Sequence, residues 1–227
     1  MLSSPSFYCI IFFLFVSSFV CSNSKTTIIE KERRNEPAMC GQFSILPDAL
    51  RALETYAPLP FPLVDERKNE TIFPGSSVPC LIGQDGRFQI VAMRFGIDYP
   101  GFKRRMINAR AETVLDKPMF RDDFLHRRLC VPASSFYEWT ASKEKVAFFD
   151  PDEQTMFLAG FFQNGQFILL THPANASMRP FHHRMPLLLR ADQVKDWLFD
   201  TQKAIALLEQ ENGDLRHWMS HQQGTLF

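Results

Sequence analysis

Apolar and polar residues alternate over positions 87–95, which predicts a strand with one face in a core. Two further apolar runs, 155–162 and 166–171, flank Asn164-Gly165. That dipeptide favours the two-residue type I′ turn and predicts a hairpin. Helical spacing appears nearer the ends of the chain. Positions 47–56 place Leu46, Leu50 and Leu53 on one face, and 192–199 opens at Asp192 as a cap with Val194, Trp197 and Leu198 directed inward. A second C-terminal helix is predicted over 202–210, and the proline-rich stretch 58–79 reads as loop. Strands crowd the middle, helices sit towards the ends, and no βαβ alternation appears. The expected fold is α+β, mainly antiparallel strands with a few flanking helices, and not a doubly wound sheet.

Composition divides the chain. Its 227 residues are 45% hydrophobic and 22% charged, which fits a globular core and excludes a disordered tail or a collagen-like repeat. Several of the 23 phenylalanines, however, lie in one N-terminal apolar run, 7–16, ahead of the charged stretch Glu30-Lys31-Glu32-Arg33-Arg34. The run is short for a membrane span and has the length of a signal-peptide core, yet the first eight residues carry no Lys or Arg. Residues 1–38 are therefore read as a leader that is either removed or translated only on paper, with Met39 as the true start. Formal charge is zero, 25 Lys and Arg against 25 Asp and Glu, so any contact with nucleic acid has to come from a local patch.

Beyond the leader, Cys40, Cys80 and Cys130 are an odd set with no CxxC and no histidine at metal-ligand spacing. Neither a disulfide framework nor a zinc site is expected, and a reducing cytoplasm fits best. Chemistry is confined to four islands: Met39-Cys40-Gly41-Gln42-Phe43, Ile107-Asn108-Ala109-Arg110-Ala111-Glu112-Thr113, Ser135-Phe136-Tyr137-Glu138-Trp139 and Phe181-His182-His183-Arg184-Met185-Pro186. Each has an ordinary reading when taken alone: a core cysteine, a turn amide, a solvated carboxylate, a packed imidazole.

Together, in this order, the islands resemble the SRAP family, named for SOS response-associated peptidases and better understood as abasic-site processing proteins. The resemblance runs from Met39 to about Arg190 and implies one domain over 39–220. It implies that Cys40 is a nucleophile exposed by removal of Met39, with Asn108, Glu138 and His182 completing the catalytic site. An abasic sugar opens to an aldehyde, and an N-terminal cysteine offers it an amine and a thiol on adjacent carbons. The α-amine, with a reference pKa of roughly 7.7 to 8.0, is substantially neutral near pH 7, unlike a lysine amine. Imine formation followed by thiol addition closes a thiazolidine ring, with Glu138 and His182 moving protons. A cysteine with a leader on its amine cannot do this, so the leader must be absent or removed. A misplaced start is the simplest account, self-cleavage by a cysteine-type peptidase the second, and a secreted or membrane-tethered protein with a structural cysteine the third.

The implied partner is single-stranded DNA carrying abasic sites. Between positions 103 and 128 eight Lys or Arg face four Asp or Glu, and Lys103, Arg104, Arg105, Arg110 and Arg121 are the candidate DNA-binding residues. Phe95, Tyr99, Phe102 and Trp139 are candidates for base stacking. Gln42 stands where the family motif usually has Arg, Phe95-Gly96 replaces the usual Trp-Gly, and the typical Pro-Val-Ser ending is not evident around Trp218. No cofactor or metal is expected, and the protein is expected to be monomeric and to avoid membranes. The tail, 221–227, ends Gln223-Gly224-Thr225-Leu226-Phe227 and resembles the pentapeptide with which bacterial repair proteins dock on the sliding clamp: Gln223 for register, Leu226 and Phe227 as anchors.

Overall fold

The computed structural model describes residues 41–60, 70–152 and 154–219. Among the described residues, the strands are β1 (Gln42–Ile45), β2 (Glu70–Ile72), β3 (Ser77–Gln84), β4 (Arg87–Phe95), β5 (Asn108–Arg110), β6 (Arg128–Ala133), β7 (Ser135–Trp139), β8 (Lys145–Phe149), β9 (Met156–Gln163), β10 (Gln166–Pro173), β11 (Arg184–Pro186), β12 (Leu188–Leu189) and β13 (Arg216–Met219). The helices are α1 (Pro47–Glu54), α2 (Pro118–His126), α3 (Val194–Phe199) and α4 (Thr201–Leu207). No helix among the described residues is long and apolar enough to cross a membrane.

Five strands form one sheet in the order β13-β8-β7-β1-β2, with each described pairing antiparallel. The second sheet runs β11-β10-β4-β3-β6-β9-β12, and β5 joins it beside β10. Because β10 pairs with β4 on one side and with β9 on the other, this sheet closes on itself. The α+β expectation holds, with two parallel contacts, β10 with β4 and β10 with β5. Asn164 and Gly165 turn the β9–β10 hairpin with positive φ of 49° and 70°, as a type I′ turn requires. At Gly160, on the same hairpin, an added Cβ would come within 2.3 Å of the Ile168 carbonyl oxygen, so the close approach of the two strands requires glycine.

Among the described residues two apolar clusters form the core. One lies between the sheets, where Phe43, Phe136 and Phe148 meet Phe95, Phe167 and Leu129. Within it Phe95 stacks on Phe167 and Phe136 on Phe148, with centroids 5.2 and 5.3 Å apart. The other fills the opposite side of the closed sheet under α2, α3 and α4, around Phe124, Phe161 and Trp197.

Several elements differ from their sequence pattern. The stretch read as loop over 58–79 contains β2 and the start of β3, because Pro79 sits where β3 has only β4 paired in the ladder, β6 joining at Leu81 and Ile82. Helix α1 stops at Glu54, and Leu46 lies before it, 41% exposed, while Ala49 and Leu53 carry the buried face. Asp192 does not cap α3. It pairs with Arg190 inside a 3-10 turn, and the N-cap position of α3 is Gln193, which makes no side-chain cap; a carboxylate cap occurs at α4 instead, where Asp200 accepts from the backbone N–H groups of Gln202 and Lys203. Val194, Trp197 and Leu198 are buried as the spacing predicts.

Candidate active site

Strand alternation sets the direction of Glu138. On β7, Phe136 and Glu138 face inward and Tyr137 and Trp139 outward, leaving Glu138 only 4% exposed. Strand β1 runs beside it with Gln42 opposite Tyr137, so the chain enters the sheet one position from Glu138. Gln42 is itself buried.

Asn108 and His182 come from the other sheet. Strand β5 lies parallel to β10, Asn108 opposite Leu169 and Arg110 opposite Thr171. Strand β11 lies antiparallel to the far end of β10, with Arg184 opposite Pro173 and Pro186 opposite Thr171. The last residues of β10 therefore hold the Asn108 and His182 islands side by side. Phe181, next to His182, packs edge-on against Phe148 at 5.3 Å, and Phe148 lies opposite Phe136, two residues before Glu138. The core between the sheets thus gathers the neighbourhoods of Asn108, Glu138 and His182. Cys40 lies outside the described residues.

Hydrogen bonds fix the histidine. Its Nδ1 lies 3.1 Å from the backbone N–H of Arg184 and 3.2 Å from the Arg184 carbonyl oxygen, so the backbone of Arg184 holds that edge of the ring. The ring stacks on His183 at 4.4 Å. The turn preceding it hangs on Asn175, whose Oδ1 accepts from Ser177 and from the Met178 backbone while its Nδ2 donates to the carbonyls of Asn212 and Gly213. The His182 N–H then donates to the Met178 carbonyl.

Arg184 joins the two islands. Its guanidinium meets Glu112 through both Nη atoms, at 2.5 and 2.8 Å, and donates to the carbonyl and hydroxyl of Thr171 at 2.6 and 3.1 Å. Burial raises the Glu112 pKa, but the Arg184 hydrogen bond, a backbone hydrogen bond and the charges of Arg184 and Arg110 outweigh it and hold the carboxyl below its ordinary value. Beside this pair His172 is buried on β10. Desolvation, helped by the Arg184 charge, depresses its pKa and keeps it neutral. Glu112 and Arg184 stand within sequence motifs, whereas Thr171, His172 and Asn175 carry no motif, because spacing along a chain does not announce which residues a sheet will align.

The predicted DNA-binding residues separate into two kinds. Lys103, Arg104, Arg110 and Arg121 lie on the surface. Arg105 instead donates from Nε and Nη2 to the two oxygens of Asp98 at 3.0 and 3.1 Å and lies over Gly96, where an added Cβ would fall 2.2 Å from its Cδ. The surplus of cations counted over 103–128 is smaller in the fold. Arg128 is buried and donates to the carbonyls of Phe124, Leu125 and Trp197, and Arg127 is bound to Asp122 and Asp123. Of the stacking candidates, Phe95 is core, whereas Phe102 and Trp139 are exposed.

Two clefts lie on other parts of the described surface. One of about 690 Å³ is lined by Glu112, His172, Asn175 and Asn212, and one of about 750 Å³ by Tyr56, Asp150, Arg190 and Asp214; neither is lined by Asn108, Glu138 or His182. Among the described residues no cluster of three or more His, Cys, Asp or Glu could hold a metal ion.

The family described as SOS response associated peptidase (SRAP) matches residues 39–222, and the chain belongs to it. Among curated proteins it is similar to the abasic site processing protein YoaM of Bacillus subtilis, 31% identical over 157 residues covering 61% of this chain and 69% of that one. The Escherichia coli abasic site processing protein YedK is 27% identical over 140 residues, 56% of this chain and 63% of that one. Among solved structures, a phage-related protein from Bordetella bronchiseptica superposes with a TM-score of 0.67 at 20% identity, over 81% of this chain and 95% of that one. A protein from Bacteroides thetaiotaomicron gives 0.63 at 21% identity, over 79% and 91%. These two likenesses establish the fold.

Proposed function

We propose that the protein processes abasic sites in single-stranded DNA by capturing them covalently through Cys40 as its N-terminal residue. The observation that carries this reading is the meeting of the Asn108, Glu138 and His182 neighbourhoods where β1 begins, two residues after Cys40. Gln42, two residues after Cys40 in the sequence, opens β1 opposite Tyr137, the neighbour of Glu138. Family membership and the names of the relatives, abasic site processing proteins, support abasic sites as the substrate. Cys80 and Cys130 are fully buried, and burial pushes both thiols far above their ordinary pKa, which suits packing and not nucleophilic attack.

The amine of Cys40 adds to the aldehyde carbon of the opened sugar, water leaves, and an imine forms. The Cys40 thiol then adds to the same carbon and its proton passes to nitrogen, closing the thiazolidine with one water released overall. Glu138, buried on the inward face of β7, and His182, held by the Arg184 backbone, are the acid–base pair for these transfers. Asn108 positions the cysteine without adding charge. The same chemistry requires residues 1–39 to be absent from the active form, and a DNA substrate suits a protein acting in the cytoplasm. Gln223, Leu226 and Phe227 lie outside the described residues; as a clamp-docking tail they would concentrate the protein where replication stalls.

Protein beginning at Cys40, incubated with single-stranded DNA bearing one abasic site, should give a heat-stable shifted band that Cys40→Ala abolishes. Peptide cleavage without such a band would favour the cysteine peptidase. Binding of a peptide ending in Gln223-Gly224-Thr225-Leu226-Phe227 to the clamp tests the tail separately.

A further inference from the structure

The outward face of the five-stranded sheet is unusual. Register places Tyr137 of β7, Ala147 of β8 and Trp218 of β13 in one row, with Trp139 beside Lys145 in the next and Phe149 beside Arg216 on the other side. Trp218 is 59% exposed and Trp139 43%. The inward neighbours Phe136, Phe148 and His217 form the opposite face and pack on one another. On the outward face of β7, β8 and β13 the charged positions are Lys145 and Arg216, and no carboxylate occupies a strand position there. The Lys145 ammonium lies 3.7 Å from the Tyr137 ring centroid and 6.0 Å from that of Trp139.

Exposed rings with interleaved cations on a sheet are what a nucleic-acid strand needs: any base can stack on a ring face, and the cations answer the phosphates. Ala147 leaves a shallow floor between Tyr137 and Trp218, whose strands are two ladder spacings, roughly 10 Å, apart. We propose that this face, centred on Trp218, Lys145 and Tyr137 and reaching Glu138's neighbour Trp139, is a stacking platform that holds single-stranded DNA flanking the reactive site. The proposal rests on the reading of single-stranded DNA as substrate, and it assigns the flanking strand to a surface on the reverse side of the sheet that carries Glu138.

The test uses protein beginning at Cys40 and a labelled thymidine homo-oligonucleotide of about 20 nucleotides without abasic sites, longer than the site sizes such platforms cover. Loss of one stacked base predicts that Trp218→Ala weakens binding by about tenfold or more, with Trp218→Phe recovering most of it. Lys145→Gln should lower the salt slope of binding by about 0.7, one phosphate's share for single strands. Covalent capture of abasic DNA at saturating DNA should be unchanged in all three. Wild-type affinity and salt slope in both Trp218→Ala and Lys145→Gln would overturn the platform. Should Trp218→Ala misfold, Lys145→Gln and Trp218→Phe decide alone. Failure of the parent protein to capture abasic DNA, with oligonucleotide binding and its Trp218 dependence intact, would overturn the covalent reading and leave the platform standing.

Discussion

Arg184 and Glu112, 72 residues apart, are held by two hydrogen bonds of 2.5 and 2.8 Å, and through them the strand of Asn108 is tied to the turn of His182. The same arginine gives its backbone N–H to the His182 ring. Its position therefore sets the orientation of the histidine. Arg184→Lys keeps the charge but removes the two-pronged contact. Covalent capture should slow by about tenfold or more, as misplacement of an acid–base group does, with DNA affinity little changed. Glu112→Gln leaves a mostly buried guanidinium without its countercharge and should cost about 1–3 kcal/mol of stability, read from denaturant midpoints. Wild-type rates and stability in both variants would show that the pair has no such role.

The pH dependence of stability has two parts. Glu112 ionises below its ordinary value of 4.5, so its contribution is present above that pH and is lost as pH falls through the folded value. His172 also has a depressed pKa, from burial first and the Arg184 charge second. Its neutral form is favoured in the fold, and that contribution is fully present above its ordinary 6.5 and declines as pH falls from there through the folded value. Thermal melts should show stability falling already in the mildly acidic range, and His172→Gln should flatten that part of the curve while leaving the lower one.

Arg105 and Arg104 are adjacent but should behave differently. Arg105→Ala removes the hydrogen bonds to Asp98 and the cover over Gly96, and should lower the melting temperature. Arg104→Ala, on the surface, should leave melting unchanged and reduce the salt slope of single-strand binding by about 0.7. The reverse pattern would mean that the candidate DNA-binding patch is centred on Arg105 after all.

Arg128→Met should be among the most damaging changes in the second core. The guanidinium donates to three carbonyls and to the Thr201 hydroxyl, linking β6 to α2, α3 and α4, and its replacement leaves those acceptors buried and unmade. A loss of about 3 kcal/mol is expected.

Much of the architecture was readable where one local rule governed. Asn164-Gly165 dictated its turn, and Val194, Trp197 and Leu198 dictated the buried face of α3. Asp192 fits the sequence pattern of a cap for α3, and only the fold shows it held by Arg190 in the 3-10 turn that precedes that helix. The four islands named the chemistry, but not the scaffold. Thr171, His172 and Asn175 matter through strand register and loop anchoring, which are long-range properties. For the same reason eight cations over 103–128 looked like one patch, whereas Arg105, Arg127 and Arg128 are committed to partners inside the protein.

The central claim is tested most directly by the mass of the N-terminal peptide after capture. Protein starting at Cys40 is incubated with abasic single-stranded DNA, digested with nuclease and protease, and the adduct weighed and fragmented. The account predicts a modification on Cys40 equal to the sugar-containing fragment less one water, with both the amine and the thiol consumed. An adduct on any other residue, or one that leaves the Cys40 thiol free to alkylate, would contradict it.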